Sequence, residues 1–163
     1  MTPKEAAALL REQDHILILT HRRPDGDTTG CAAGLCAALR HLGKTAFILP
    51  NPEFTRLTLP YAAPYLAPEG FAPDFVVSVD IAARSLFFPA AEAYFEKIGL
   101  AVDHHPSFEG FGAAQCVDPG RAACGEIVYE ICAALLGEIP PSVALPLYVA
   151  VATDTGCFVY ANT

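Results

Sequence analysis

Apolar and polar positions fall in blocks along the chain. Ile16-Leu17-Ile18-Leu19, Phe75-Val76-Val77 and Leu100-Ala101-Val102 are short, nearly continuous apolar runs, each bounded by polar or turn-forming residues. Such runs read as strands buried on both faces. The stretches between them carry small and apolar residues at helical spacing. The pattern predicts strands over 15–20, 44–49, 75–80, 99–103 and 113–117. It predicts helices over about 3–13, 28–42, 123–136 and 141–152, with a further helical segment near 88–96. Residues 50–74 hold Pro50, Pro52, Pro60, Pro64, Pro68 and Pro73, which predict loops and short helical turns. Strands that alternate with helices imply an α/β fold, doubly wound, with a mainly parallel sheet and helices on both faces. A length of 163 residues suits one domain, 1–163.

Composition narrows the setting. The chain is 53% hydrophobic and 17% charged, enough apolar material for a core and far from a disordered composition. No apolar stretch reaches the roughly 20 residues of a membrane helix. The N-terminal segment reads as an amphipathic helix rather than a signal peptide. A cytoplasmic protein without a membrane partner is expected. The 6 cysteines (Cys31, Cys36, Cys116, Cys124, Cys132, Cys157) form no CxxC and no zinc-ribbon spacing. They read as small thiols in a reducing compartment, most of them among apolar neighbours. A net charge of −8, from 18 acids against 10 bases, disfavours tracking along nucleic acid duplexes. It leaves room for a short phosphorylated substrate held by metal.

The candidate chemistry lies where the strands stop. His21-Arg22-Arg23-Pro24-Asp25-Gly26-Asp27 follows the first strand, Asp80 ends the third and Asp103-His104-His105 ends the fourth. Asp154 follows the last apolar helix in the segment Val151-Ala152-Thr153-Asp154-Thr155-Gly156. Each piece alone is ordinary: a turn, a helix cap, a core histidine. In open parallel sheets, however, ligands sit beyond the carboxyl ends of the strands, so these groups are expected to converge on one edge. Asp25, Asp27, Asp80 and Asp154 would then repel one another strongly. Two divalent cations would balance them. Mixed imidazole and carboxylate donors suit manganese, and less specifically iron, cobalt or zinc, while the lack of thiolates argues against structural zinc. Two such ions about 3.5–4 Å apart would suit phosphoryl transfer. A dinucleotide cofactor would need GxGxxG after the first strand; two aspartates stand there instead. Among the basic residues, Arg22 and Arg23 flank the first cluster, while Arg84 and Arg121 are the expected phosphate-binding residues on the active edge.

These residues resemble the DHH phosphoesterase family. His21 to Cys31 reads HRRPDGDTTGC against the family's HxxPDGDxxGS, and Asp103-His104-His105 matches the triplet that names it. Asp80 in VSVD and Asp154 in TDTG match its other two motifs. The resemblance implies two manganese ions: His21 and Asp25 on the first, Asp27, His104 and Asp154 on the second, and Asp80 bridging. His105 would contact the scissile phosphate, and Asp103 would orient a histidine. The implied activity is hydrolysis of short oligonucleotides, dinucleotides or 3′-phosphoadenosine 5′-phosphate. A manganese pyrophosphatase and a non-catalytic nucleotide- or metal-sensing domain are the alternatives, and a homodimer is a possible assembly. Cys31 replaces the motif's serine. Ala122, Ala123 and Cys124 replace hydroxyl residues near the start of the helix expected over 123–136, so backbone amides there are expected to hold phosphate. The family's second, C-terminal substrate-binding domain of the DHHA1 type has no counterpart in 1–163. The chain is therefore expected to be part of a longer protein and weakly active or inactive by itself.

Overall fold

The computed structural model describes all 163 residues. The five strands β1 (Ile16–Leu19), β2 (Ala46–Ile48), β3 (Phe75–Val79), β4 (Ile98–Asp103) and β5 (Ala114–Val117) form one all-parallel sheet in the order β2-β1-β3-β4-β5. Chain order and sheet order part company at β1, which sits between β2 and β3. That reversal opens a crevice at the carboxyl ends of neighbouring strands, where doubly wound sheets bind ligands.

The two faces of the sheet are covered differently. Ile16, Ile18, Val77, Val79, Leu100, Val102 and Cys116 face a core built with α1 (Pro3–Arg11), α2 (Gly26–His41), α5 (Cys124–Leu136) and α6 (Pro141–Asp154). Leu17, Leu19, Val76 and Ala101 face the other way, onto Ile81, Phe87, Phe88, Phe111 and the short helix α4 (Pro89–Glu92). The helix expected near 88–96 is thus two short pieces, α4 and a 3-10 turn over Phe95–Lys97. Aromatic side chains do the covering there: Phe87, Phe95 and Phe111 meet mostly edge to face, at 5.3–5.5 Å between ring centres. The proline-rich stretch contributes only the one-turn helix α3 (Leu59–Ala62) and a 3-10 turn, as its composition implies.

α6 packs on α2 and α5 rather than on the sheet. What admits it is a stripe of glycines four residues apart on α2. A Cβ on Gly26 would strike Thr153, one on Gly30 would strike the Pro146 carbonyl oxygen and the Ala150 backbone, and one on Gly34 would strike Leu147. Because α6 carries Asp154 at its end, this close crossing sets where that carboxylate sits. Gly30→Ala is expected to destabilise the fold by about 1–3 kcal/mol through overpacking, read as a shifted denaturant midpoint. An unshifted midpoint would mean that the two helices slide apart at no cost.

Candidate metal centre

Asp25 is the N-cap of α2, and its Oδ1 accepts the N–H groups of Asp27 (3.0 Å) and Thr28 (3.1 Å). The helix therefore starts at Gly26, two residues before the Thr28 start expected from the sequence. Thr28 Oγ1 donates to the Val79 carbonyl, tying the start of α2 to the end of β3. Asp27, in the first turn, is fully buried. Its Oδ2 accepts Cys124 N–H at 2.7 Å, and its Oδ1 accepts Gly125 N–H at 2.9 Å and the Cys31 thiol at 3.2 Å. These donors correct one expectation. The amides at the start of α5 hold Asp27, not phosphate, because a buried carboxylate cannot be left without partners. Ala122 N–H is likewise taken, by Glu126.

Asp80 follows β3 with φ 58°, left-handed backbone that non-glycine residues seldom adopt, although its own N–H still pairs with the Val102 carbonyl. Such strain persists where the surroundings enforce it, commonly at functional sites. Asp103 ends β4 and accepts both the backbone N–H of His105 (2.6 Å) and its ring Nδ1 (2.8 Å) through one oxygen. His104 Nδ1 lies 3.1 Å from the Arg121 carbonyl, and His21 Nδ1 lies 2.6 Å from the Arg22 carbonyl. A carbonyl only accepts, so both rings carry their proton on Nδ1 and turn a bare Nε2 lone pair the other way. Histidines that bind metal are held in this manner. Asp154 lies in the last turn of α6, not after it. Thr153 and Thr155 extend the helix past 152 by donating their hydroxyls back to Val149 and Val151.

The two lone pairs face carboxylates. His104 Nε2 is 3.6 Å from Asp80 Oδ1, 3.6 Å from Asp154 Oδ2 and 3.8 Å from Asp27 Oδ2. His21 Nε2 is 3.6 Å from Asp25 Oδ1 and 3.9 Å from Asp80 Oδ2. Such distances are too long for hydrogen bonds. They suit donors that share an ion at about 2.0–2.2 Å from each. Asp80 Oδ1 and His104 Nε2 are buried with no hydrogen-bond partner at all. Three overlapping groups could hold an ion: His21, Asp25 and Asp80; Asp27, His104 and Asp154; and Asp80, His104 and His105. In the third, His105 offers the Nδ1 that Asp103 already holds.

Burial raises the Asp27 carboxyl to about 6, the Cys31 thiol and Cys124 N–H opposing it and the Asp154 charge adding to it. Asp80 is pushed well above the usual carboxylate range, by burial first and then by the charges of Asp27, Asp25, Asp103 and Asp154. Burial also raises Asp154. For His21, burial opposes the charged form, but Asp25 and the Arg22 carbonyl outweigh it and the pKa rises. His105 is raised mainly by its hydrogen bond to Asp103. This is a centre short of positive charge.

The model of the DHH family, N-terminal domain, matches residues 15–152. The chain belongs to the DHH family. Among relatives of this DHH domain is the "Bifunctional oligoribonuclease and PAP phosphatase NrnA" of Thermus thermophilus, 33% identical over 162 residues, covering 97% of the chain and 48% of that protein. The Bacillus subtilis protein of the same name is 27% identical over 157 residues, covering 92% of the chain and 49% of its own length. The chain thus spans about half the length of these relatives. An exopolyphosphatase-related protein from Bacteroides fragilis shares the fold with a TM-score of 0.82 at 22% identity, over 99% of this chain and 52% of that one. The exonuclease RecJ bound to manganese superposes with a TM-score of 0.60 at 18% identity, over 98% and 43%.

The side chains of the two arginines expected at the phosphate are both held by carboxylates. Arg84 is held by Glu92 at 2.8 Å and Glu96 at 3.5 Å, with its guanidinium over the Phe95 ring. Arg121 is held by Asp118, Glu126 and Glu130. Neither lines the pocket of about 240 Å³ that opens onto His21, Asp25, Asp80, His105 and Asp154; Arg22 and Arg23 do. The carboxylates that capture Arg84 follow it within its own segment, and spacing alone does not say whether a guanidinium turns to them or to a ligand. All 6 cysteines are unpaired, with only Cys157 exposed, and no helix is long and apolar enough to cross a membrane.

Proposed function

We propose that residues 1–163 are the metal-binding domain of a phosphoesterase that acts on short oligonucleotides, dinucleotides or 3′-phosphoadenosine 5′-phosphate with two divalent ions, manganese foremost. The observation that carries this reading is the pair of orphaned, buried donors, Asp80 Oδ1 and His104 Nε2, 3.6 Å apart. His21, Asp25 and Asp80 would hold one ion; Asp27, His104 and Asp154 would hold the other, with Asp80 between them. When bound, such ions supply positive charge to the phosphoryl oxygens and a water acidic enough to react near neutral pH. The NrnA relatives, named for oligoribonuclease and PAP phosphatase activity, support the substrate class, and the manganese of RecJ supports the metal. The free thiols fit a reducing, cytoplasmic setting.

His105 has a separate task. Asp103 fixes its ring through Nδ1, so Nε2 remains for substrate, and the ring is half-exposed at the pocket. The same carboxylate favours the protonated ring, which can donate a hydrogen bond to a phosphoryl oxygen. His105→Ala is expected to lower turnover about 10²–10⁴-fold with metal content unchanged by elemental analysis. Loss of metal in step with turnover would make His105 a ligand instead. The test of the whole reading is a manganese-dependent panel of dinucleotides, 3′-phosphoadenosine 5′-phosphate, cyclic dinucleotides and pyrophosphate. Preference for pyrophosphate would point to a pyrophosphatase; bound metal without hydrolysis of any member would point to a sensing domain.

A further inference from the structure

We infer that Arg22 binds a second, unreacted phosphate of the substrate, so that this site selects nucleotides carrying two phosphate groups over those carrying one. The inference rests on the phosphoesterase reading and adds a subsite to it. Two ions would be matched by the charges of Asp25, Asp27, Asp80 and Asp154. Little positive charge would then remain for any phosphate besides the one being cleaved. A second phosphate needs a cation from the wall of the pocket, and the basic side chains there, beyond the histidines, are Arg22 and Arg23.

The other arginines with defined partners are spent. Arg11 donates to the carbonyls of Ala134 and Leu135, and Arg40 to those of Ala46 and Pro64. Arg84 and Arg121 are neutralised by carboxylates, and Arg23 has Glu53 at 4.0 Å. Arg22 lines the pocket, and its guanidinium makes no hydrogen bond or ion pair. Its backbone, by contrast, is fixed on both sides. Its N–H donates to the Leu86 carbonyl at 2.7 Å, and its carbonyl accepts His21 Nδ1 at 2.6 Å. Asn51, which is buried, donates to the His21 carbonyl at 2.9 Å and holds the preceding residue as well. Arg23 follows with φ 53°, a conformation retained although it is unfavourable for a residue with a side chain. The turn that delivers His21 to the metal centre therefore also fixes the backbone of a pocket-lining arginine whose side chain has no partner. A fixed base with a free, planar, bidentate head is well suited to a phosphate.

The test compares adenosine 3′,5′-bisphosphate with adenosine 3′-monophosphate on the manganese-loaded chain. The wild type is expected to show the lower KM for the bisphosphate. Arg22→Gln is expected to raise that KM about tenfold, with the effect confined to KM, and to abolish the preference. Arg22→Lys, which keeps the charge but not the fork, is expected to restore part of it, and added salt to erode it in the wild type. A preference that survives in Arg22→Gln, or a wild type that hydrolyses both nucleotides without preference, would overturn the inference and leave the phosphoesterase reading standing. A wild type that takes up manganese yet neither binds nor hydrolyses either nucleotide would overturn both. Manganese content equal to wild type in Arg22→Gln shows that the centre is intact, so that the KM effect belongs to the substrate.

Discussion

Asp80→Asn is expected to empty the centre of divalent ions and, in the same chain, to stabilise the metal-free fold. The first half follows from position. Asp80 faces His21 with one oxygen and His104 with the other, and so belongs to ligand groups on both sides of the centre. Partners outside the ligand shell are already worth about 10–100-fold in metal affinity, so loss of a shared ligand should exceed about 100-fold. The second half follows from burial. Asp80 is 2% exposed and its Oδ1 has no hydrogen-bond partner, while other carboxylates surround it. An amide of the same shape removes that uncompensated charge. Asparagine also tolerates the left-handed backbone at this position well. Replacing buried ionic groups by neutral ones of similar volume commonly stabilises by about 1–4 kcal/mol. Elemental analysis after dialysis reads the first effect and scanning calorimetry with chelator the second. A variant that keeps both ions, or one that loses them with no rise in metal-free Tm, would contradict this account of Asp80.

That trade between stability and charge shows what could be read along the chain and what could not. The strand ends were legible because the apolar runs are short and end abruptly in charge, so His21, Asp80 and Asp103-His104-His105 fell at the same edge. The parallel sheet followed from the same runs. Less legible was what covers each face, since an apolar run says only that it is covered. The long helices lie on one face and phenylalanines with short turns on the other. The glycines at 26, 30 and 34 stand four apart, but their meaning depends on α6, which is distant in sequence. The pattern ends the last helix before Asp154 because Thr153 and Thr155 are poor helix formers; their hydroxyls fold back onto carbonyls instead. The roles of Arg84 and Arg121 were illegible for a related reason. A guanidinium turns to whichever carboxylate the local backbone aims at it, and here those carboxylates are Glu92, Glu96, Asp118, Glu126 and Glu130 rather than a ligand.

The metal-free chain is expected to lose stability as the pH rises from about 4.5 to about 7.5, and a divalent ion to reverse that order. Asp27 is held at about 6 in the folded chain against 3.8 without the fold's influence. Between those values the folded chain binds more protons than the unfolded one, so stability falls with rising pH. About two units amount to about 3 kcal/mol at the upper end. Asp80 and Asp154, raised by burial, act in the same direction. So do His21 and His105: their raised pKa values contribute stability below about 6.5 that is lost as pH climbs past the folded values. Asp25 is held low despite burial, by His21 and by the amides of Thr28 and Asp27; its contribution disappears only below about pH 4, outside this window. The contributions in the window therefore share one sign. For a chain of this length, about 3 kcal/mol corresponds to a fall in Tm of roughly 6–12 °C. With millimolar manganese the carboxylates release their protons to the ion, and binding adds stability that grows with pH. Thermal scans at the two ends of the window, with chelator and with manganese, read both slopes. A metal-free chain that gained stability toward neutral pH would mean that the carboxylates of Asp27 and Asp80 reach water. The separations of 3.6–3.9 Å around the two histidines would then reflect solvent between the groups rather than room for a cation.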